Sequence, residues 1–368
     1  MKIGIVTVHD SANFGSFLQA LGVQEMIKSC GHEPYFIQTR SLKEAHALFH
    51  GYDKSKWGKS LGSFARYFLR EICHPARYRS NEEKFQMYQE DWKAYEHILP
   101  VEQLKDTPMD LILFGSDELW NVRKPAFRNP LFYGIGIDCP HKYAYAMSIG
   151  DMAKEDWAPY PYILPAVGKF DGIYTRDART QKMFEEFGLH VDSFLCDPTL
   201  QADIRSYMRE EAPAGVPEEP YLLVYTYTMP QAMQEHVKRF ARERGLKTAS
   251  ITLYQPWCDT HIECGPLSFG PALQQASYVY TSTFHGSIFS SLYHTNFVSM
   301  PISPKVNDVL TRIGLQNAII SEQISYEEFV AKMEQSRDYE EMERRILELR
   351  KDARGILETI ISQSEGAQ

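Results

Sequence analysis

The segment from Tyr278 to Pro301, YVYTSTFHGSIFSSLYHTNFVSMP, constrains the fold more than any other part of the chain. Its first three residues suit the end of a buried strand, and from Ser287 the apolar residues recur at helical spacing. A second short apolar run then starts at Phe297. The pattern predicts a strand, a polar elbow, a helix and a strand, which places the elbow at the carboxyl edge of a parallel sheet. Open α/β sheets bind ligands at this edge.

The elbow carries side chains suited to binding and proton transfer. The helix that starts there directs its backbone N–H groups and positive dipole end at any bound anion. His285 exchanges protons near neutral pH, so we predict that it is catalytic. A histidine that only caps the helix or fills the core is the simpler alternative. We predict substrate binding by Ser282, Thr283, Gly286 and Ser287.

Length and charge limit the possible classes of protein. A chain of 368 residues exceeds one ordinary hydrophobic core, so two domains are expected. With 43% hydrophobic and 24% charged residues, the composition is that of an ordinary globular protein. The net charge of −9 argues against nucleic acid as a partner. Oligomeric state stays open.

The six cysteines are scattered, which is typical of a reducing compartment. Cys258, His261 and Cys264 form the tightest group, but no fourth ligand follows at a convincing spacing. We therefore predict no metal and no cofactor. The start of the chain, MKIGIVTV, predicts a strand and not a signal peptide, and no apolar run has transmembrane length. A cytoplasmic location is expected.

The first strand, Lys2–Val8, leads through a polar loop into a helix, without the GxGxxG spacing of a dinucleotide site. Asn13 and Gly15 lie in this loop, and we predict that they bind substrate at the sheet edge. Turn geometry alone explains both equally well. Asp10 either faces the same edge or forms a local Asx turn.

A second strand end has the same polar character. The apolar run Leu111–Phe114 is followed by Gly-Ser-Asp. Asp117 offers a carboxylate that acts as a base or binds a hydroxyl, so we predict that it is catalytic. Ser116 and Asn121 are predicted to bind substrate, with capping of a short turn as the alternative.

A third strand end carries Arg176, in the sequence DGIYTRD. A guanidinium there is placed to bind a phosphate or carboxylate in bidentate fashion, so we predict substrate binding. The alternative is a salt bridge with Asp171 or Asp177.

The predicted domains are 1–205 and 218–325, joined by a segment rich in Pro, Glu and Ala, with helices over 326–368 that pack back on the first domain. Residues 41–80 form a basic amphipathic insertion in which Lys54–Arg79 holds seven Lys/Arg and one acid. This insertion either contacts an anionic membrane or substrate, or packs on the core as an ordinary helix. The next helix is predicted over Ser80–Ile98.

Several of these segments, in this order, resemble the polysaccharide pyruvyl transferase family: HDSANFGSFLQALG, FGSDELWN, YAYAMSIG, YTRD, CDPTL and TSTFHGSIFSSLYHTNFV. The resemblance implies an α/β fold of glycosyltransferase type B, with two Rossmann-like domains facing across a cleft and a C-terminal helix that packs back on the first domain. It implies that Asp117, Arg176 and His285 match the family's functional positions. Thr283 departs from the family, in which many members have Arg.

The resemblance implies transfer of a pyruvyl group from phosphoenolpyruvate to sugar hydroxyls, as a ketal, in bacterial surface polysaccharide biosynthesis. The acceptor would be a glycan or a lipid-linked sugar, handled in the cytoplasm, with possible peripheral contact at the inner membrane face. His285 would be the general acid, and Asp117 would orient or deprotonate the acceptor hydroxyl. A glycosyltransferase with a nucleotide-sugar donor and a glycan-binding relative without catalysis are the alternatives.

Overall fold

The computed structural model describes residues 1–50 and 75–366, and their side chains apart from those of residues 75–78. Contacts divide the chain into two compact units, each with its own parallel sheet. The first unit comprises Met1–Ile204 and Arg350–Gln368, and the second comprises Arg205–Leu349. The segment rich in Pro and Glu that ends at Pro220 therefore belongs to the second unit.

The first unit is built on a seven-stranded parallel sheet with the strand order β3-β2-β1-β4-β5-β6-β7. The run of apolar residues in the central strands suits burial on both faces. The strands are β1 Lys2–Val6, β2 Glu33–Gln38, β3 Ile98–Pro100, β4 Leu111–Phe114, β5 His141–Met147, β6 Gly172–Thr175 and β7 Ser193–Phe194.

Helices cover both faces of this sheet, as expected for strands buried on both sides. The first helix is buried along most of its length because its apolar residues surround the axis. The helices are α1 Phe14–Ser29, α2 Leu42–Phe49, α3 Pro75–Asp91, α4 Ile163–Val167, α5 Ala178–Glu186 and α6 Pro198–Gln201.

The second unit repeats the design with a five-stranded parallel sheet in the order β10-β9-β8-β11-β12. Its strands are β8 Tyr221–Tyr225, β9 Lys247–Ile251, β10 Thr260–Ile262, β11 Tyr278–Thr281 and β12 Phe297–Ser299. Its helices are α7 Gln231–Glu243, α8 Phe269–Gln274, α9 Phe284–Leu292, α10 Pro304–Arg312 and α11 Tyr326–Glu334. The strand, elbow, helix and strand predicted over Tyr278–Pro301 are therefore present as β11, α9 and β12.

The last helix, α12 (Tyr339–Glu365), begins in the second unit and ends in the first. Arg350 donates to the carbonyl oxygens of Leu200 and Ala202, and Arg354 donates to that of Ser29. Its buried apolar face, which includes Leu357, continues into the core of the first unit. The prediction that the C-terminal helix packs back on the first domain is confirmed.

One local feature differs from the sequence-based expectation. The helix predicted to reach Ile98 ends at Asp91, and Ile98 instead begins the edge strand β3. Gln24 of α1 accounts for this change, because its side chain bonds both Ala94 and Glu96 in the connecting turn. The basic segment Lys54–Arg79 lies almost wholly outside the described residues. In the described part of the chain, no helix combines the length and hydropathy needed to cross a membrane.

Candidate active site

The first unit has its topological switch point between the neighbouring strands β1 and β4. Ligands of open α/β folds bind at such a point, beyond the carboxyl ends of the strands. Asp117 follows β4 at this edge, and Arg176 and Asp197 follow β6 and β7. The parallel pairing of the neighbouring strands β4, β5, β6 and β7 therefore brings together side chains that lie far apart in the sequence.

Arg176 joins two carboxylates at this edge. Its Nη1 donates to Asp197 Oδ2 at 2.5 Å, and its Nη2 donates to Asp117 Oδ1 at 3.0 Å. The side chains of Arg176 and Asp197 are 3% and 1% exposed, whereas that of Asp117 is 16% exposed. Of these three charged groups, Asp117 is the one that solvent reaches best.

Further hydrogen bonds hold each carboxylate in one orientation. Asp117 Oδ2 accepts a bond of 2.9 Å from the Ser16 hydroxyl on α1, and Asp197 Oδ1 accepts bonds from the Thr199 amide and hydroxyl. The backbone of Asp117 has a left-handed φ of 62° and its carbonyl accepts from Ser148. Asp117 is thus a preorganised hydrogen-bond acceptor at the crevice.

Arg176 stays charged in this setting. Burial alone would lower the pKa of Arg176, but Asp197 and Asp117 beside it raise the pKa overall. The alternative partners from the sequence, Asp171 and Asp177, are engaged elsewhere. Asp177 caps α5, and Asp171 accepts from the Lys142 amide. The ion-pair interpretation of Arg176 is therefore correct in kind, with different partners.

The other predicted residues of the first unit are bonded within the protein. Asn13 caps α1 by accepting from the amides of Gly15 and Ser16, so Gly15 lies in a helix and not in a tight turn. Ser116 is fully buried and donates to Gln19 at 2.5 Å. Asn121 is buried and donates to Glu118 and Asp151. Capping accounts for Asn13, whereas Ser116 and Asn121 are held by hydrogen bonds to side chains of other elements.

A second buried ion pair lies at the same edge, and the sequence analysis did not predict it. Arg40, beyond β2, donates to Asp10 Oδ1 at 2.7 Å and to the Ala126 carbonyl at 3.0 Å. Asp10 Oδ2 is buried without a hydrogen-bond partner among the described residues. His9 is buried next to this pair, and its pKa is lowered, chiefly by burial. The edge therefore holds two guanidiniums among three carboxylates.

The second unit has its switch point between β8 and β11, at the elbow predicted from the sequence. Hydroxyl groups join the two strand ends. The Thr226 and Ser282 hydroxyls lie 2.6 Å apart, and the Thr281 hydroxyl donates to the Tyr225 carbonyl at 2.8 Å. These groups are buried, so Ser282 stabilises the crevice floor in this structure.

The start of α9 is closely packed around Gly286. Thr283 caps the helix by accepting from the Gly286 amide at 3.0 Å. A Cβ atom on Gly286 would lie 2.3 Å from Thr281 Oγ1 and 2.5 Å from Thr283 Oγ1, which requires glycine here. Ser287 is buried and donates to the Thr283 carbonyl, with the Ser299 hydroxyl 2.9 Å away.

His285 occupies the second position of α9 and is partly exposed. Its ring lies edge-on to Phe284, with the centroids 5.1 Å apart, and the Lys305 ammonium lies 5.5 Å from the Phe284 centroid. The elbow therefore combines a helix start, a titratable imidazole and a nearby cation. This combination is suited to binding an anion and to transferring a proton.

The cysteine group considered from the sequence does not bring metal ligands together in the described residues. His261 instead bonds the Ser250 hydroxyl at 2.9 Å and Glu263 at 3.1 Å. In the same described part of the chain, the donor atoms of His46, His50 and Glu82 do converge.

Comparison with known proteins adds two findings. Residues 13–304 match the family model of polysaccharide pyruvyl transferases. A search of curated proteins found no matching sequence.

Solved structures with low sequence identity share the fold. A Listeria monocytogenes protein described as a UDP-N-acetylglucosamine 2-epimerase is 10% identical with a TM-score of 0.53, over 93% of this chain and 90% of that one. S. aureus MnaA, solved with UDP, is 10% identical with a TM-score of 0.50, over the same shares. A Streptomyces glycosyltransferase, SsfS6, solved with thymidine diphosphate, is 13% identical with a TM-score of 0.44, over 98% and 99%. The two parallel sheets, together with the matches to MnaA and to the Listeria protein, identify a fold of glycosyltransferase type B.

Proposed function

Because the chain belongs to the polysaccharide pyruvyl transferase family, we propose that it transfers a pyruvyl group from phosphoenolpyruvate to two hydroxyls of a sugar. The observation that carries this proposal is the extent of the family match. Residues 13–304 include the loop after β4, which carries Asp117, and the elbow after β11, which carries His285. The match therefore covers the candidate chemistry and not only the scaffold.

The reaction needs two proton transfers. The methylene carbon of phosphoenolpyruvate gains a proton and becomes a methyl group, which leaves the central carbon electrophilic. Two sugar oxygens then bond to this carbon, its bond to the phosphate oxygen breaks, and inorganic phosphate leaves. The two sugar hydroxyls lose two protons in all. One equals the proton gained by the new methyl group, and the other leaves on the phosphate. A proton donor near the methylene and an acceptor near the sugar hydroxyl are therefore required.

We assign the acceptor side to the first unit. Asp117 is partly exposed and held in place by Arg176 and Ser16, so its oxygen can receive a hydrogen bond from a neutral sugar hydroxyl. Arg176 then acts as a positioning residue, because both of its Nη atoms already bind carboxylates. This role replaces the direct substrate contact expected from the sequence.

We assign the donor side to the second unit. The start of α9 attracts the phosphate and carboxylate of phosphoenolpyruvate, and His285 in its first turn supplies the proton. Thr283, which stands where many family members have Arg, keeps the helix start in place by capping it. The Lys305 ammonium, above Phe284, adds positive charge on this side. We place the reaction in surface polysaccharide assembly, in the cytoplasm at the inner membrane face, with a lipid-linked sugar as one form of acceptor.

The test is product formation by the full-length protein, with phosphoenolpyruvate and a panel of sugar acceptors. Released phosphate and a pyruvyl ketal detected by mass spectrometry should appear together. His285→Ala and Asp117→Asn should each lower turnover by about 10²–10⁴-fold, the usual contribution of a general acid or base. His190→Ala is the matched control, because that side chain is 88% exposed and should leave turnover unchanged.

Full turnover in both His285→Ala and Asp117→Asn would contradict the assigned roles. If no acceptor yields a ketal, the product assay does not identify the donor. Donor binding is therefore measured separately. Phosphoenolpyruvate should raise the melting temperature well above the effect of equimolar inorganic phosphate. Equal shifts from both ligands would count against phosphoenolpyruvate as donor.

A nucleotide-sugar donor is the second candidate function. It is favoured by the likeness to MnaA, which was solved with UDP, and by the absence of the family Arg at Thr283. The same melting experiment separates the two candidates. Stabilisation by a nucleotide sugar, with none by phosphoenolpyruvate, would support glycosyl transfer. A glycan that binds without any product from either donor would indicate a non-catalytic relative.

A further inference from the structure

Two histidines and one glutamate converge on the outside of the first unit. His46 lies on α2 and His50 follows at the end of this helix, four residues later. Residues four apart share one face of a helix. Glu82, on the neighbouring helix α3, faces both of them. None of these three residues has a role in the proposed reaction.

Two of the three distances between the donor atoms are close to those of a metal site. Glu82 Oε2 lies 2.9 Å from His46 Nε2 and 3.2 Å from His50 Nε2, and one ligand atom from each residue falls within 4.8 Å of the others. Bonds of roughly 2.0–2.2 Å in a tetrahedral site place neighbouring ligand atoms about 3.4 Å apart. The distances from Glu82 Oε2 to His46 Nε2 and to His50 Nε2 are about 0.5 Å and about 0.2 Å shorter than this value.

The surroundings favour a site with three protein ligands and one position open to water. The His50 side chain is fully buried, whereas His46 and Glu82 are about one third exposed, at 34% and 33%. The rings of Phe85 and Phe49 line the inner side, with the Phe85 centroid 4.8 Å from that of His46. An apolar shell on one side strengthens metal–ligand electrostatics, and the solvent side leaves space for water.

We propose that His46, His50 and Glu82 bind a divalent transition metal ion of the Zn²⁺ type, with water as the fourth ligand. Two imidazoles and one carboxylate form a ligand set that suits Zn²⁺ and Co²⁺ better than Mg²⁺ or Ca²⁺, which prefer oxygen ligands. The ion replaces the hydrogen bonds between the imidazoles and Glu82, and each imidazole then carries its proton on Nδ1. It links α2 to α3, so its role is to stabilise the first unit.

The simpler alternative is a hydrogen-bonded cluster without metal. The bonds from His46 and His50 lower the pKa of Glu82, which is expected for either arrangement. The two alternatives differ in their response to added metal. A hydrogen-bonded cluster has no reason to bind Co²⁺ in the micromolar range or to impose four-coordinate geometry on it.

The test is a Co²⁺ titration of full-length protein that has been freed of metal with a chelator. One equivalent of Co²⁺ should produce the visible absorption of a four-coordinate ion, and Zn²⁺ should displace it. His46→Ala and Glu82→Gln should each weaken Co²⁺ binding by about tenfold or more. His97→Ala is the control, because that ring stacks on Tyr35 on the same unit and should leave binding unchanged.

A second readout separates loss of metal from loss of fold. Zn²⁺ should raise the melting temperature of the wild-type protein and of His97→Ala, but not that of Glu82→Gln, whose side chain keeps its shape and hydrogen bonds. The proposal is overturned if Co²⁺ fails to bind, or if His46→Ala and Glu82→Gln bind it as tightly as the wild-type protein. Either result can be read without any assay of transferase activity.

Discussion

The two crevices share one topology but differ in chemistry. In the first unit, the strand ends carry charged side chains, with Arg176 and Arg40 buried among Asp10, Asp117 and Asp197. In the second unit, the described strand ends at the switch point carry hydroxyls that bond one another and the backbone. The same type of sheet therefore supports two different kinds of binding site.

The difference agrees with the roles that we propose for the two units. In the first unit, hydrogen bonds from Arg176 and Ser16 hold the Asp117 carboxylate at a defined place, which suits an acceptor with neutral hydroxyls. In the second unit, the start of α9 and the Lys305 ammonium supply positive charge, which suits an anionic donor. The following variants test whether one crevice depends on buried charge and the other on packing and capping.

The largest effect is expected for Arg176→Met, which keeps the side-chain volume but removes the charge between Asp117 and Asp197. Breaking a buried ion pair by removing one partner costs about 3–5 kcal/mol, because the remaining charges stay buried and uncompensated. Urea denaturation should show this loss in the free energy of unfolding. Arg123→Met is the control, because its ion pairs with Asp151 and Asp156 are more exposed and should cost about 0–1 kcal/mol.

If lost charge compensation causes the destabilisation of Arg176→Met, a second substitution should partly reverse it. Adding Asp197→Asn removes one of the two unpaired carboxylates, so the double variant should recover part of the lost stability. Additive losses would instead mean that packing, and not charge, determines the stability of the first crevice. That outcome would remove the contrast between the two units.

In the second unit, Gly286→Ala should be the most damaging single change that adds no charge. The new methyl group would lie 2.3 Å from Thr281 Oγ1 and 2.8 Å from Tyr225 Cδ1, and overpacking of this kind costs about 1–3 kcal/mol. Gly355→Ala is the matched control, because no atom lies within 4 Å of its added Cβ. Alanine there should stabilise α12 by roughly 0.5–1 kcal/mol. Equal effects at both positions would contradict the close packing at the elbow.

The cap on α9 predicts a smaller effect. Thr283→Ala removes the hydroxyl that accepts from the Gly286 amide, and loss of an N-cap typically costs about 1 kcal/mol. Thr283→Ser keeps this hydroxyl and should retain most of the stability. Thermal denaturation of the pair measures the difference. If serine and alanine destabilise equally, the threonine methyl group and not the cap is what matters.

Much of the fold was predictable because buried parallel strands appear as short apolar runs with polar residues at their ends. The β11–α9–β12 elbow and the polar ends of β4 and β6 were found in this way, whereas the return of the C-terminal helix was implied by the family resemblance. Edge strands were harder, because β3 and β10 are only three residues long and carry no strong pattern. Their place depends on pairing partners that are distant in the sequence.

The candidate site was only partly predictable, since pairing follows strand register and not sequence distance. Asp197 follows β7 at the same edge as Arg176, and the rule applied to other strand ends would have singled it out. The bonds from Ser16 to Asp117 and from Ser116 to Gln19 depend on how α1 packs against the β4 loop. His46 and His50 show a helical spacing of four, but nothing in the sequence indicates that Glu82 completes the cluster.

The smallest predicted effect is a response to acid that arises at the first crevice. His9 is buried beside Asp10 and Arg40, with its ring against Phe36 and Tyr95. Burial lowers the pKa of His9 most strongly; Asp10 and the Thr7 carbonyl raise it, and Arg40 lowers it further. The folded state therefore binds fewer protons here than the unfolded state does below about pH 6.5.

The sign of the effect follows from this difference in proton binding. The contribution of His9 to stability is complete above pH 6.5 and is lost as the pH falls through the lower pKa of the folded state. The free energy of unfolding, measured with urea at pH 7.5 and pH 5.5, should therefore fall further in the wild-type protein than in His9→Gln. His190→Gln should keep the full wild-type drop, because its side chain is 88% exposed. An equal fall in the free energy of unfolding of His9→Gln would mean that other groups cause the acid response. It would also weaken the contrast between the two units.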